Sequence, residues 1–293
     1  MGVRITHVDW RAQNDRLDAL LVHADKLAMH DLNQGFEAEV VKLAFDNQSF
    51  VLKTWSKHSK PDIGYQYHLL GALTERGLSV SKPLGWGLNP EGDPVLLTTY
   101  DGTPVMRVNK KKMTAFARML ASIHQMNAKE LTGVQLPRYD FIGYFFSGSE
   151  DHPDVLQAAV RISEMAEMSQ DTVIHADFHL GNILEDGERY TVIDWTNGLL
   201  GDPRYDLAWS HLLLKIYISE RHAEMFRAAY YGKQLIPQAS WECFEALACL
   251  RWVLLQRYGS VPMAPNTMET VEGIMQSNLH LSALAQEVLH RKI

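Results

Sequence analysis

The chain has 293 residues, 46% of them hydrophobic and 22% charged, with a formal net charge of −7. That is ordinary soluble globular composition with apolar mass for one large domain or two lobes. The acidic balance argues against a general nucleic-acid binder, which carries a basic footprint. Two cysteines, Cys243 and Cys249, make no disulfide framework and match no metal spacing, as expected in a reducing compartment. Residues 1–25 carry Arg4, Asp9, Arg11, Asp15, Arg16 and Asp18, with no apolar core of signal-peptide length. The most apolar helix, around 246–255, is broken by Arg251 and is too short to span a bilayer. A cytoplasmic enzyme or binding protein without a membrane or nucleic-acid partner is expected; composition leaves its oligomeric state open.

In chain order, the first predicted element is a helix over 14–29, where Leu17, Leu20, Leu21, Ala24 and Leu27 recur at helical spacing. From Phe36 the period changes. Ala38, Val40, Leu43 and Phe45 read as a strand, Asp46-Asn47-Gln48 as a turn, and Phe50, Val51 and Leu52 as the start of a second strand, which makes a hairpin. A helix over 64–76 is closed by Gly77, and strands follow over 80–86 and 94–99. Beyond Tyr100 helices dominate. One carries the stripe Met113, Phe116, Ala117, Leu120 and Ile123; others are predicted over 153–168, 204–217, 220–231, 241–258 and 268–289. Cys243 and Cys249 share one of them and read as small buried apolar residues. No repeat or low-complexity tract appears. The order predicts an α+β chain of two lobes, a small β-rich 1–100 and a larger helical 101–293 with one short strand pair embedded.

One stretch concentrates chemistry: "VIHADFHLGNILEDGERYTVIDWTNG", residues 173–198. His175, Asp177 and Asn182 lie in a turn-rich run, and a short apolar strand then ends on Asp194. Loops collect Asp and Asn for local turn hydrogen bonds, and that is the bland alternative. Phosphoryl transfer asks for the same residues. It needs a carboxylate to orient and deprotonate the attacking hydroxyl, and oxygen ligands to hold Mg²⁺ on the phosphates. Asp177 suits the first role, Asn182 and Asp194 the second.

The segments "HADFHLGNIL" and "VIDWTNGLLGDPRYDLAWS", with "LASIH" at 120–124, resemble the aminoglycoside phosphotransferase and choline kinase-like kinases, relatives of protein kinases. The resemblance implies a two-lobed protein-kinase-like fold. It also implies ATP or GTP with Mg²⁺ between a β-rich and a helical lobe, and transfer of the γ-phosphoryl group to a small-molecule hydroxyl. Asp177 then matches the catalytic base, and Asn182 and Asp194 the metal ligands. His175 and His124 are structural on this view, while His179 lies inside the loop.

The same resemblance implies that the front lobe supplies the rest of the nucleotide site. "SFVLKTW" puts Lys53 near the end of an apolar strand, where its ammonium can pair with phosphates. The usual Glu partner of that lysine is replaced, on this register, by Gln66, which hydrogen-bonds but carries no charge. Backbone N–H groups near Gly35 and Phe36 are candidates for approaching phosphate. Adenine recognition falls on the backbone of "LLTTYDG" (96–102), around Thr98, Thr99 and Tyr100. From 138 to 171 there are seven acids against two bases, opened by Tyr139, Phe141, Tyr144, Phe145 and Phe146. Acids beside aromatics suit a cationic acceptor, although a solvated acidic helix over core aromatics explains them equally well. An aminoglycoside or similar amino-sugar is the favoured acceptor. A choline or homoserine kinase-like activity is the runner-up, and a regulatory pseudokinase is the alternative outside enzymes.

Overall fold

A computed structural model describes residues 5–32, 38–232 and 236–290. In chain order its main elements are β1 (Asp9–Gln13), α1 (Asp15–Val22), β2 (Ala28–Asp31), β3 (Ala38–Phe45), β4 (Gln48–Trp55), α2 (Ile63–Glu75), β5 (Pro83–Leu88), β6 (Pro94–Thr99) and β7 (Thr103–Pro104). There follow α3 (Lys110–His124), α4 (Phe141–Phe145), α5 (Pro153–Met165), β8 (Thr172–Ile174), β9 (Ile183–Asp186), β10 (Arg189–Val192) and β11 (Leu199–Gly201). The helices α6 (Pro203–Tyr217), α7 (Glu220–Tyr231), α8 (Gln238–Arg257), α9 (Thr267–Ser277) and α10 (Ala285–His290) complete the chain. Among the described residues no helix is long and apolar enough to cross a membrane.

Backbone contacts gather these elements into two compact units. The first comprises Met1–Val105, Leu131–Gln135 and Gly181–Thr196. Its six-stranded antiparallel sheet runs in the order β1-β5-β6-β4-β3-β2. Strand alternation assigns the faces. Val41, Leu43, Phe50, Leu52, Val95 and Leu97 turn to one face and bury Leu17 and Leu20 of α1. Val51 and Lys53 turn to the other, paired in register with Thr98 and Leu96. On that face α2 lies close to β5: a Cβ on Gly64 would stand 2.9 Å from the Trp86 ring, so only glycine fits there. The short β7 pairs with β9, which pairs with β10. That pairing joins Gly181–Thr196 to the first unit and makes the division discontinuous along the chain. Gly102 enables it, because its φ of 113° lets the chain run against the Glu185 carbonyl, where a Cβ would lie 2.2 Å away.

The second unit comprises Met106–Glu130, Leu136–Leu180 and Asn197–Ile293. Here α6 packs on α7 and α8, α3 on α7, and α5 on α8, with β8 and β11 as a two-stranded ribbon. Phe116, Phe226, Phe244 and Trp252 are fully enclosed. Cys243 and Cys249 are free and buried on α8, as expected.

Three predicted helices are shorter than their periodicity implies, one of them, α5, by a single turn. The first stops at Val22 rather than near residue 29, because 28–31 pair with β3 as an edge strand. The last breaks at Asn278, whose side-chain amide donates to the Glu242 carbonyl at 3.0 Å while its own backbone is extended. The strands β1, β7 and β11 and the helix α4 are among the elements not predicted.

Candidate active site

The strand β8 delivers the motif. His175 follows it, fully buried, and its backbone N–H donates to Asp206 Oδ2 at 2.8 Å. Asp206 sits on α6, whose start is fixed by Pro203 in the first turn and by Asp202, whose carboxylate accepts from the Arg204 N–H. The same Asp206 oxygen lies 3.1 Å from His124 Nε2, and His124 Nδ1 lies 2.6 Å from the Tyr230 hydroxyl. Both histidines therefore brace the loop from within.

Asp177 stands differently. Its backbone N–H donates to His175 Nδ1 at 3.3 Å, and Oδ1 accepts from the Trp209 indole N–H at 2.9 Å. Oδ2 is 3.5 Å from His179 Nε2, and the Asp177 side chain keeps 29% of its surface open to solvent. Burial pushes its carboxyl up. The hydrogen bond and charge of His179, the Arg251 guanidinium and the Trp209 N–H outweigh that and hold it well below the usual carboxylate range. Sequence reasoning missed Trp209 and Arg251. A usable signal existed for Arg251: a lone charge in an apolar helix needs a partner.

Asn182, Asp194 and Lys53 belong to the first unit. Pairing of Ile183 with Val192 brings the residues before β9 beside those after β10, and Ile193 N–H donates to the Asn182 carbonyl at 2.9 Å. Asn182 is buried; Asp194 is half-buried, in a left-handed conformation at φ 64°, with Oδ1 accepting from the Thr196 hydroxyl. Their oxygens are hard donors of the kind Mg²⁺ takes one or two of, the remainder coming from phosphate and water. Lys53 lies 5.9 Å from the Trp55 ring centroid and has no carboxylate partner among the described residues. Gln66 is buried on α2, and its Oε1 lacks a hydrogen-bond partner there.

The connection 96–102 differs in detail from expectation. Thr99 and Tyr100 N–H donate to the Lys82 and Ser49 carbonyls, which leaves neither amide for a bound base. Thr98 is buried with its hydroxyl turned to the Thr99 carbonyl, and the Tyr100 ring lies under Lys42 Nζ at 4.0 Å. Gly35 and Phe36 lie outside the described residues.

The acidic, aromatic stretch is partly committed to structure. Asp154 forms a buried ion pair with Arg257, Asp140 caps α4, and Asp171 accepts from the Ser169 hydroxyl. Phe141, Phe145 and Phe146 are core. Tyr139 stacks on Tyr144 at 4.7 Å and keeps 45% of its surface exposed, while the Tyr144 hydroxyl donates to Asn197 Oδ1.

No curated protein matches the chain by sequence. Solved structures share its fold. The amicoumacin kinase hAmiN in complex with AMP-PNP, Ca2+ and Ami has a TM-score of 0.63 at 15% identity, covering 94% of this chain and 93% of that one. Choline kinase LicA from Streptococcus pneumoniae has a TM-score of 0.63 at 16% identity, covering 92% and 98%. The apo form of a thermostable mutant of an aminoglycoside phosphotransferase has a TM-score of 0.61 at 14% identity, covering 94% and 99%. The fold is thus the protein-kinase-like one shared by these small-molecule kinases. A family model described as "Phosphotransferase enzyme family" matches residues 29–247. With three quarters of its length inside that match, the chain belongs to the phosphotransferase enzyme family.

Proposed function

We propose that this phosphotransferase uses ATP and a divalent cation to phosphorylate the hydroxyl of a small, amine-bearing molecule, with an amino-sugar of the aminoglycoside type as the favoured acceptor. The observation that carries the reading is the setting of Asp177. It is a solvent-reachable carboxylate fixed by an indole N–H and a histidine, and it stays anionic. A carboxylate so far below its usual range pulls weakly on a neutral hydroxyl. Its work is to accept the hydroxyl hydrogen bond, orient the oxygen, and take the proton late, once bonding to phosphorus has made the alcohol acidic. That order suits the loose transition state of phosphoryl transfer.

Asn182 and Asp194 would hold Mg²⁺, which supplies charge neutralisation on the β- and γ-phosphates. Lys53, an ammonium without a carboxylate partner among the described residues, would pair with phosphate oxygens. The amicoumacin kinase, solved with AMP-PNP and Ca2+, supports a triphosphate and a divalent cation. An amine on the acceptor is supported by the exposed Tyr139 face and by the exposed Glu150 and Asp151 of the same stretch.

The test is nucleotide consumption by the purified protein with MgATP and MgGTP against aminoglycosides, amino alcohols and uncharged sugars. Phosphorylation of an amino-sugar upholds the reading. Turnover confined to choline-like alcohols moves the acceptor class, and turnover with uncharged sugars alone refutes the amine requirement.

A further inference from the structure

Arg251 is the only charge between 246 and 255 on α8, and one of its contacts reaches the peptide before Asp177. Its guanidinium rests over the Trp209 ring at 4.3 Å and the Phe145 ring at 4.9 Å. Nη1 donates to the Ala176 carbonyl at 3.0 Å. Ala176 is a fully buried alanine at φ 64°, in the left-handed region that side chains disfavour. The peptide joining Ala176 to Asp177 is therefore pinned at both ends, its oxygen by Arg251 and its N–H by His175 Nδ1. Trp209 serves both partners: its ring carries the guanidinium and its N–H binds Asp177 Oδ1.

We propose that Arg251 is a positioning residue for Asp177: it holds the Ala176 carbonyl, and with it the left-handed peptide that aims the Asp177 carboxylate. The inference rests on the reading of Asp177 as the group that receives the acceptor hydroxyl. Without the hold, an alanine at this φ relaxes toward negative φ, turns the peptide, and carries the carboxylate off its line. A bond to a carbonyl oxygen by a planar, seated guanidinium has directional rigidity that a lysine ammonium lacks.

The test compares wild type, Asp177→Asn, Arg251→Lys, and Arg251→Lys combined with Ala176→Gly. Readouts are thermal unfolding, kcat and KM for MgATP with the acceptor found in the panel (or with water as acceptor), and the Trp209 indole N–H resonance, assigned through Trp209→Phe. Arg251→Lys should fold, lose about tenfold to a hundredfold in kcat with little change in KM, and shift the indole resonance. Adding Ala176→Gly should restore much of kcat and return the resonance toward wild type, because glycine adopts φ > 0 without strain. A merely structural role for Arg251 gives no such rescue.

A folded Arg251→Lys with wild-type kcat and resonance overturns the proposal, and so does absence of rescue by Ala176→Gly. If Arg251→Lys does not fold, Phe145→Leu, which loosens the seat of the guanidinium, should shift the same resonance; an unmoved resonance there is equally fatal. Full turnover in Asp177→Asn defeats the functional reading instead, and leaves the resonance to judge the positioning.

Discussion

Replacing Asp177 by Asn keeps the outline of the side chain and an oxygen to accept the Trp209 N–H, and removes the charge that faces His179 and Arg251. General-base assistance contributes about 10² to 10⁴ in rate. The lowered pKa of Asp177 makes it a weak base, which places its share near the lower end. Misalignment of the hydroxyl adds to the loss, so a fall in kcat of about 10² to 10³ is expected, or about 3–4 kcal/mol of transition-state stabilisation. The dissociation constant for the Mg-nucleotide should stay within about threefold, since charge-assisted phosphate and metal contacts are assigned to other residues. Stability should change with a defined sign. A carboxylate whose folded pKa is depressed stabilises the fold above its unfolded pKa of about 4, and that contribution drains away as pH falls toward the folded value. Asp177→Asn should therefore lower the melting temperature at neutral pH and flatten its decline below about pH 4. The assays are initial rates with the acceptor from the panel, nucleotide titration calorimetry, and melting curves across pH. A variant with kcat within tenfold of wild type would remove Asp177 from the chemistry, and one that loses nucleotide binding would move it among the metal ligands.

Asp194→Ala should abolish turnover and weaken binding of the nucleotide only when Mg²⁺ is present; equal affinity with and without the metal, in both proteins, counts against the ligand assignment. Lys53→Ala should raise the nucleotide dissociation constant or lower kcat while melting like wild type, and unchanged values in both would place the phosphate-pairing lysine elsewhere. Gln66→Glu should tighten nucleotide binding if the two side chains cooperate, whereas a lower melting temperature with unchanged affinity would show only an unpaired buried charge. Arg257→Met strips the buried Asp154 carboxylate of its partner, with side-chain exposures of 5% and 3%, and should cost about 3–5 kcal/mol, read as a melting temperature lower by several degrees.

The elements legible in the sequence are those whose order comes from their own residues. The β3–β4 hairpin shows apolar positions on both sides of Asp46-Asn47, and Asp46 takes the positive φ of 49° that such a turn uses. Helix α7 begins at a serine cap and ends at Gly232, and its predicted bounds match. The strand β6, all but its ends buried, was equally plain. By contrast β2 is exposed at every position and exists because β3 offers it an edge, which no local pattern announces. The candidate residues His175, Asp177, Asn182 and Asp194 fall within twenty positions of the sequence, so spacing alone is enough to single them out. Trp209 and Arg251 reach Asp177 and Ala176 from 32 and 75 positions away, and only the packing of α6 on α8 brings them there.

That distance bears on what a short motif can specify. Four non-glycine residues among those described adopt positive φ: Asp46, Glu167, Ala176 and Asp194. The first belongs to a hairpin turn and the second follows α5. The other two are the residue before Asp177 and the candidate metal ligand itself. Aspartate tolerates the left-handed region better than alanine, so Ala176 carries the greater strain. Such a conformation persists only where its surroundings over-determine it. For Ala176 those surroundings are Arg251 on its carbonyl, His175 on the following N–H, and full burial of its methyl. The motif therefore names the candidate groups, while Asp177 and the peptide before it are held by side chains drawn from α6 and α8. A second sequence with the same "HADFHLGN" but no planar donor at the position of Arg251 should place its aspartate less firmly, unless glycine takes the place of the alanine.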